Sequence, residues 1–216
     1  MVNLYTLEKE QFYRYINNSL FSLNLKVYKK ISAISGKIIN KLYQDIVQRS
    51  KSVEYENLQL TLYRGLIIKK ADIFLYKACE GDIFCYPSFT SMTTKEQTTK
   101  GFLKCQNIEM TNLKDKCACL IILDYNIKKG CKVQEADIKD LSNFKGECER
   151  LFPPFSFFKI EKVLFDNENY KGTSEEPFRI NLKIINREFY LDQAIIKKQK
   201  IFYEKKDNLW LKGSNK

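Results

Sequence analysis

Three short stretches of the chain carry side chains whose types and spacing suit chemistry on a charged, polar substrate. In KGECERLFPPF, residues 145–155, Glu147 and Glu149 flank one cysteine, just after Gly146 and just before an apolar run with two prolines. If the segment is extended, period-two alternation turns both carboxylates onto one face. Two acids so placed can divide labour, one stabilising cationic charge or polarising a substrate hydroxyl while the other handles an incoming nucleophile. A solvated strand edge is the plain alternative. In LTLYRGL, Arg64 interrupts an apolar strand and is followed at once by Gly65, which lacks a Cβ and lets a ligand reach the backbone. A planar, permanently charged guanidinium there suits a grip on phosphate, although a surface arginine at a strand end would look the same. In YPSFTSMTT, a strand that presents Ser91 and Thr93 on one face, after Phe89, can aim a hydroxyl at a ligand or a carboxylate. Clustered hydroxyls are also ordinary turn chemistry.

Composition narrows the reactions these residues can perform. The sequence contains no histidine, which removes Ser-His-Asp and Cys-His hydrolysis, histidine-ligated zinc and the commonest general base near neutral pH. Its seven cysteines, Cys79, Cys85, Cys105, Cys117, Cys119, Cys131 and Cys148, include no CxxC pair, so reduced structural thiols are expected and no metal site is. The net charge of +11 is uneven. Residues 1–60 carry nine basic and five acidic side chains, residues 61–182 nineteen and seventeen, and residues 183–216 nine and four. A nucleic-acid module would therefore have to draw its phosphate contacts from the two ends, with a nearly balanced centre. The basic C-terminal stretch is either a solvated terminus or a hold on an acidic partner. The opening MVNLYTLEKEQ becomes charged before an apolar run develops, and no run of about 18 apolar residues follows. A cytoplasmic protein without a membrane span is the expectation, with release by an unconventional route left open.

The elements that must position the three stretches follow from periodicity. Phe12, Ile16 and Leu20 recur at helical spacing, with Thr6 as N-cap and Glu8 in the first turn. A second helix has the face Val27, Ile31, Ile34, Ile38, Leu42 and Ile46, with Asn24 as cap and Gly36 as a weak point. After Glu56 the chain turns to short β-rich runs: LQLTLYRGL, CACLIILDY, FPPFSFFKIEKVLF and PFRINLKIIN. A helix carrying Phe102 is expected after the serine strand. Strands clustered after helices indicate an α+β domain. At 216 residues, 44% hydrophobic, the chain has enough apolar mass for one sizeable core.

Taken together and in this order, the stretches resemble the R-S-E class of ADP-ribosyltransferases, the arginine-specific type. The match is carried by Tyr63-Arg64-Gly65, by Phe89-x-Ser91-x-Thr93 and by Glu147-x-Glu149, and extends over residues 59–185. Met92 and Thr93 depart from the usual Ser-Thr-Ser at its second and third places, while Ser91 keeps the first.

The resemblance implies an ADP-ribosyltransferase-like fold of two packed antiparallel sheets forming an NAD cleft. Residues 1–58 would form an N-terminal helical part, 59–185 the catalytic core and 186–216 a basic extension. It implies transfer of ADP-ribose from NAD to arginines of a target protein by a monomer that needs no metal. Arg64 would hold the phosphates and the Gly65 backbone the nicotinamide amide, with Ser91, Thr93 and Phe102 also lining the NAD site. Phe102 would offer its ring to the nicotinamide; the alternative is a core helix position. Glu149 would bind the ribose 2′-hydroxyl and stabilise the oxocarbenium-like transition state, oriented by Ser91, and Glu147 would serve the acceptor guanidinium. The preceding loop corresponds to the family's substrate-recognition turn, where Phe144 either touches the target or packs inward. An NAD glycohydrolase sharing this site, and a catalytically silent relative that binds a partner, are the rival readings.

Overall fold

The computed structural model describes residues 16, 17, 20, 37, 39–49, 57–109, 115–128, 135–165 and 170–185. They form an α+β structure with the ordered elements β1 (Asn57–Lys69), α2 (Lys70–Ala78), β2 (Ile83–Tyr86), β3 (Thr90–Thr93), α3 (Glu96–Glu109), β4 (Lys116–Lys128), β5 (Ala136–Asp137), β6 (Glu149–Phe152), β7 (Ser156–Leu164) and β8 (Phe178–Ile185). Helical residues 39–49 precede them as α1. The expected caps and helix positions Thr6, Glu8, Phe12, Asn24, Val27, Ile31, Ile34, Gly36 and Ile38 lie outside the described residues, as do Cys131 and the basic extension 186–216.

Contacts divide the chain into two compact units. The first holds the described residues of Met1–Leu60, Tyr86–Lys95 and Asn126–Ser156. Its strands run β3-β6-β5, antiparallel throughout. Ile16, Leu42 and Ile46, expected on helix faces, are fully buried there against Phe89, Ala136, Ile138 and Leu151. Helical spacing was thus a true record of burial for the described part of both helices.

The second unit holds the described residues of Thr61–Cys85, Glu96–Tyr125 and Phe157–Lys216, with strands in the order β2-β7-β8-β4-β1. β7 and β8 are antiparallel, whereas β4 and β8 run parallel, with Cys119 opposite Phe178 and Asp124 opposite Lys183. The expectation of wholly antiparallel sheets therefore fails at β4 and β8. Parallel neighbours need a long connection, and some fifty residues separate β4 from β8. β4 is buried from Cys117 to Ile121 and again at Leu123 and Tyr125, as befits a strand covered on both faces over its first half. Burial pushes the Cys117 thiol up to about 11 and raises that of Cys119 further, so both are inert packing groups. Among the described residues Cys79, Cys85, Cys105, Cys117, Cys119 and Cys148 are free thiols. Phe84 stacks near Phe158 at 5.9 Å and meets Tyr76 edge-on, closing the core around β2 and β7.

The run FPPFSFFKIEKVLF is not one strand. Pro153 and Pro154 lack amide hydrogens and end β6, Phe155 turns with φ 61°, and β7 begins at Ser156. β6 belongs to the first unit, and β7 from Phe157 onward to the second.

Gly172 closes the turn before β8 with φ 74°, and its carbonyl accepts from the Ala118 amide at 2.8 Å. A Cβ there would stand 2.8 Å from the Phe178 ring and 3.0 Å from Cys117 Cβ. Gly172→Ala therefore combines backbone strain with a clash, and is expected to lower the unfolding free energy by about 1–3 kcal/mol in a urea titration.

Candidate active site

Four of the residues singled out from the sequence meet in the first unit. β6 lies between β3 and β5, and all four of its residues are buried. In the antiparallel ladder with β3, Thr93 stands opposite Glu149, Met92 opposite Arg150 and Ser91 opposite Leu151. Directly opposed residues share a face, so Ser91 and Thr93 lie on the face that carries Glu149 and Leu151.

Glu147 and Glu149 do not reach this place by strand alternation. Residues Lys145–Glu147 form a 3-10 turn, with the Glu147 amide donating to the Phe144 carbonyl at 3.0 Å. Cys148 follows in the left-handed region, φ 49° and ψ 50°, and the strand begins at Glu149. The carboxylates therefore stand in different surroundings. Glu149 is 7% exposed, while Glu147 sits half-buried on the turn.

Three side chains hold this turn. The Thr93 hydroxyl donates a short hydrogen bond to the Glu147 carbonyl and accepts from the Lys95 amide at 3.0 Å. The Lys95 ammonium donates to the Gly146 carbonyl at 3.1 Å. Ser142 Oγ donates to Glu149 Oε2 at 3.1 Å and accepts from the Phe144 amide at the same distance. Thr93, expected at a ligand, bonds here to the backbone of the acid-bearing turn and clamps it. Ser142 and Lys95 were missed by sequence reasoning. The pair Ser142 and Phe144 has the local spacing of a serine turn, a signal that was present, but the bond to Glu149 is tertiary.

On the other face of β6, buried Arg150 donates to Glu135 at 2.6 Å and has Asp137 at 3.6 Å. Arg49 of α1 donates to the Asp137 carbonyl at 2.9 Å. This arrangement was also missed; its trace in the sequence is an arginine just ahead of an apolar run.

Arg64, Gly65 and Phe102 belong to the second unit. Arg64 is half-buried on β1. The empty Cβ side of Gly65 faces α3, where an added Cβ would lie 3.0 Å from both Leu103 Cγ and Thr99 Cγ2. The glycine thus lets a helix pack onto the strand. Leu103 is fully buried, which gives it the core position, while Phe102 beside it is 45% exposed. The Thr99 hydroxyl is buried next to Gly65 and has no hydrogen-bond partner among the described residues. Phe144 is 36% exposed, so it does not pack inward. No helix among the described residues is long and apolar enough to cross a membrane, and no described group of three or more potential ligands could hold a metal ion.

No family model matches the chain, and no curated protein sequence does. Solved structures are similar. The Vis toxin, an ADP-ribosyltransferase from Vibrio splendidus, superimposes with a TM-score of 0.60 at 20% identity over 87% of this chain and 72% of its own. The same enzyme in complex with agmatine gives 0.61 at 19%, over 87% and 73%. HopU1 of Pseudomonas syringae, also an ADP-ribosyltransferase, gives 0.51 at 22%, over 80% and 65%. The chain therefore has the ADP-ribosyltransferase fold.

Removing the Thr93 hydroxyl should loosen the acid-bearing turn. Thr93→Val, nearly isosteric, strands the Glu147 carbonyl and the Lys95 amide. It is expected to cost about 1–3 kcal/mol of unfolding free energy and to speed hydrogen exchange at the Lys95 amide, with Thr93→Ser close to the parent.

Proposed function

We propose that the chain transfers ADP-ribose from NAD to arginine side chains of a target protein, releasing nicotinamide. The observation that carries this reading is the pairing of Glu149 with Thr93 and Ser142, with Glu147 tied to the same strand through its carbonyl. This sets two carboxylates with different surroundings close together along one hydroxyl-bearing strand, in a fold shared with ADP-ribosyltransferases.

The residues present fit NAD. Glu149, buried and held by a hydroxyl, is suited to bind the 2′-hydroxyl of the nicotinamide ribose and to oppose positive charge as the bond from C1′ to the nicotinamide nitrogen breaks. Ser91 shares its face and can help orient it. Arg64 suits the diphosphate, and the Gly65 backbone the carboxamide. The orphaned Thr99 hydroxyl beside Gly65 is a further buried polar group with hydrogen-bonding capacity to spare. Phe102, exposed, has a ring to offer nicotinamide.

Glu147 would bind the acceptor guanidinium and take the proton it loses as a guanidine nitrogen attacks C1′. That proton must go somewhere, because a guanidinium is protonated in water and a poor nucleophile. The crystal structure of Vis with agmatine, a small guanidine, favours the arginine reading. Phe144, exposed on the loop before Glu147, would meet the target protein. We take residues 59–185 as the catalytic core, 1–58 as its helical part and 186–216 as a basic extension open to an acidic partner, in a chain that acts as a monomer.

Incubation with labelled NAD and agmatine tests this. Glu149→Gln should reduce both transfer and nicotinamide release by at least about a hundredfold while the fold survives. Glu147→Gln should remove transfer and leave NAD hydrolysis largely intact. Nicotinamide release without labelled acceptor would make the chain a glycohydrolase, and no turnover at all would make it a silent binder. Arg64→Lys should raise the KM for NAD roughly tenfold, since a point charge replaces a two-pronged grip. An unchanged KM would remove Arg64 from the phosphate role.

A further inference from the structure

A single buried hydroxyl links the recognition loop to the carboxylate at the start of β6. Ser142 is 2% exposed. A serine hydroxyl has one hydrogen and two lone pairs. The Phe144 amide occupies a lone pair at 3.1 Å, and the hydrogen is directed to Glu149 Oε2 at 3.1 Å. The serine is itself fixed by the backbone, since its amide donates to the Ile138 carbonyl at 2.7 Å. The Ile138 amide in turn donates to the Glu149 carbonyl at 3.0 Å. A closed circuit therefore runs from the Glu149 backbone through Ile138 and Ser142 to the Glu149 side chain.

From this circuit we infer that Ser142 is a positioning residue for the transfer reaction, holding the Glu149 carboxylate in its working rotamer; the inference rests on the role given to Glu149 above. The reason is mechanical. A glutamate side chain has three rotatable bonds, and a carboxylate that must meet a developing charge gains most when its direction is fixed before reaction. The ladder opposite Thr93 fixes only the Glu149 backbone. The Ser142 bond fixes the far end, and does so from a residue anchored to that same backbone. Because Ser142 also accepts from the amide of Phe144, a shift of the recognition loop would be felt at Glu149 through one oxygen atom.

Steady-state kinetics on the full chain test the assignment, with nicotinamide release and agmatine labelling followed in parallel. Ser142→Ala should lower kcat for both reactions by a common factor of roughly ten to a hundred, as for loss of a hydrogen bond to a charged group. The KM for NAD should hold within about twofold, the pattern of an interaction that matters chiefly in the transition state. Ser142→Gly should show the same split, and Ser142→Thr, which keeps the hydroxyl, should recover most of kcat. Full kcat in a folded Ala or Gly variant overturns the inference, as does a loss that threonine fails to repair. If both hydroxyl-free variants lose cooperative unfolding, the serine serves stability and the inference also falls. A parent that releases no nicotinamide, or a Glu149→Gln variant as active as the parent, would instead sink the underlying reading.

Discussion

The left-handed turn at Cys148 is the constraint on which the acidic pair depends. A non-glycine residue in that region costs on the order of 1–2 kcal/mol, because its Cβ crowds the following carbonyl. Such a conformation persists only when its surroundings over-determine it. Here they do. Upstream, the Thr93 hydroxyl holds the Glu147 carbonyl and the Lys95 ammonium holds that of Gly146. Downstream, Glu149 is at once paired with β3, bonded through its carbonyl to Ile138 and bonded through its carboxylate to Ser142. Were Cys148 to relax to an extended conformation, the strand would lengthen and Glu147 would swing with it.

The register of β6 is protected by chemistry as much as by hydrogen bonds. Glu149 and Leu151 share one face and Arg150 the other, so a slip of one residue would exchange an acid for a base opposite Thr93. Leu151 is committed to the apolar cluster of Phe89, Ala136 and Ile138. Arg150 is committed to Glu135 and Asp137. Moving either would leave an uncompensated buried charge or an exposed leucine, and the first alone carries a penalty of about 3–5 kcal/mol. In the second unit steric fit takes the place of charge: the missing Cβ of Gly65 admits Thr99 and Leu103 of α3 against the strand that carries Arg64.

How much of this could be read from the sequence depends on whether the governing contact was local. Helical burial at Ile16, Leu42 and Ile46 was legible because a 3.6-residue period records one buried face. The long strands β1, β4 and β8 were legible from β-branched and apolar runs. The break between β6 and β7 was written in Pro153 and Pro154 but hidden by the apolar residues around them. α2 was missed, since its nine residues follow β1 without a turn signal and bury only Ile73 and Leu75. The parallel pairing of β4 with β8 was invisible, because register between distant strands has no local signature. At the candidate site, residue types were legible while directions were not. Alternation was assumed across Cys148, where no glycine announces the left-handed turn, and the ties from Ser142 and Thr93 are contacts across seven and fifty-four positions.

That difference in direction bears on how two chemically identical side chains can take separate tasks. Had Glu147 and Glu149 alternated along one strand, both would have lain on one buried face, and mutual repulsion would have disfavoured ionising both. The turn avoids this by giving them unlike settings. Glu149 is buried and held at backbone and carboxylate, the condition for stabilising a charge that exists only briefly. Glu147 has its main-chain carbonyl held by Thr93 and carries a partly exposed side chain on a short turn that starts after an exposed aromatic residue. Under the roles proposed for them, a group that must receive an incoming acceptor gains from exposure, whereas a group that meets the same transition state every cycle gains from burial. The strained residue between the two is what gives neighbours in sequence the unlike settings that the proposed roles require.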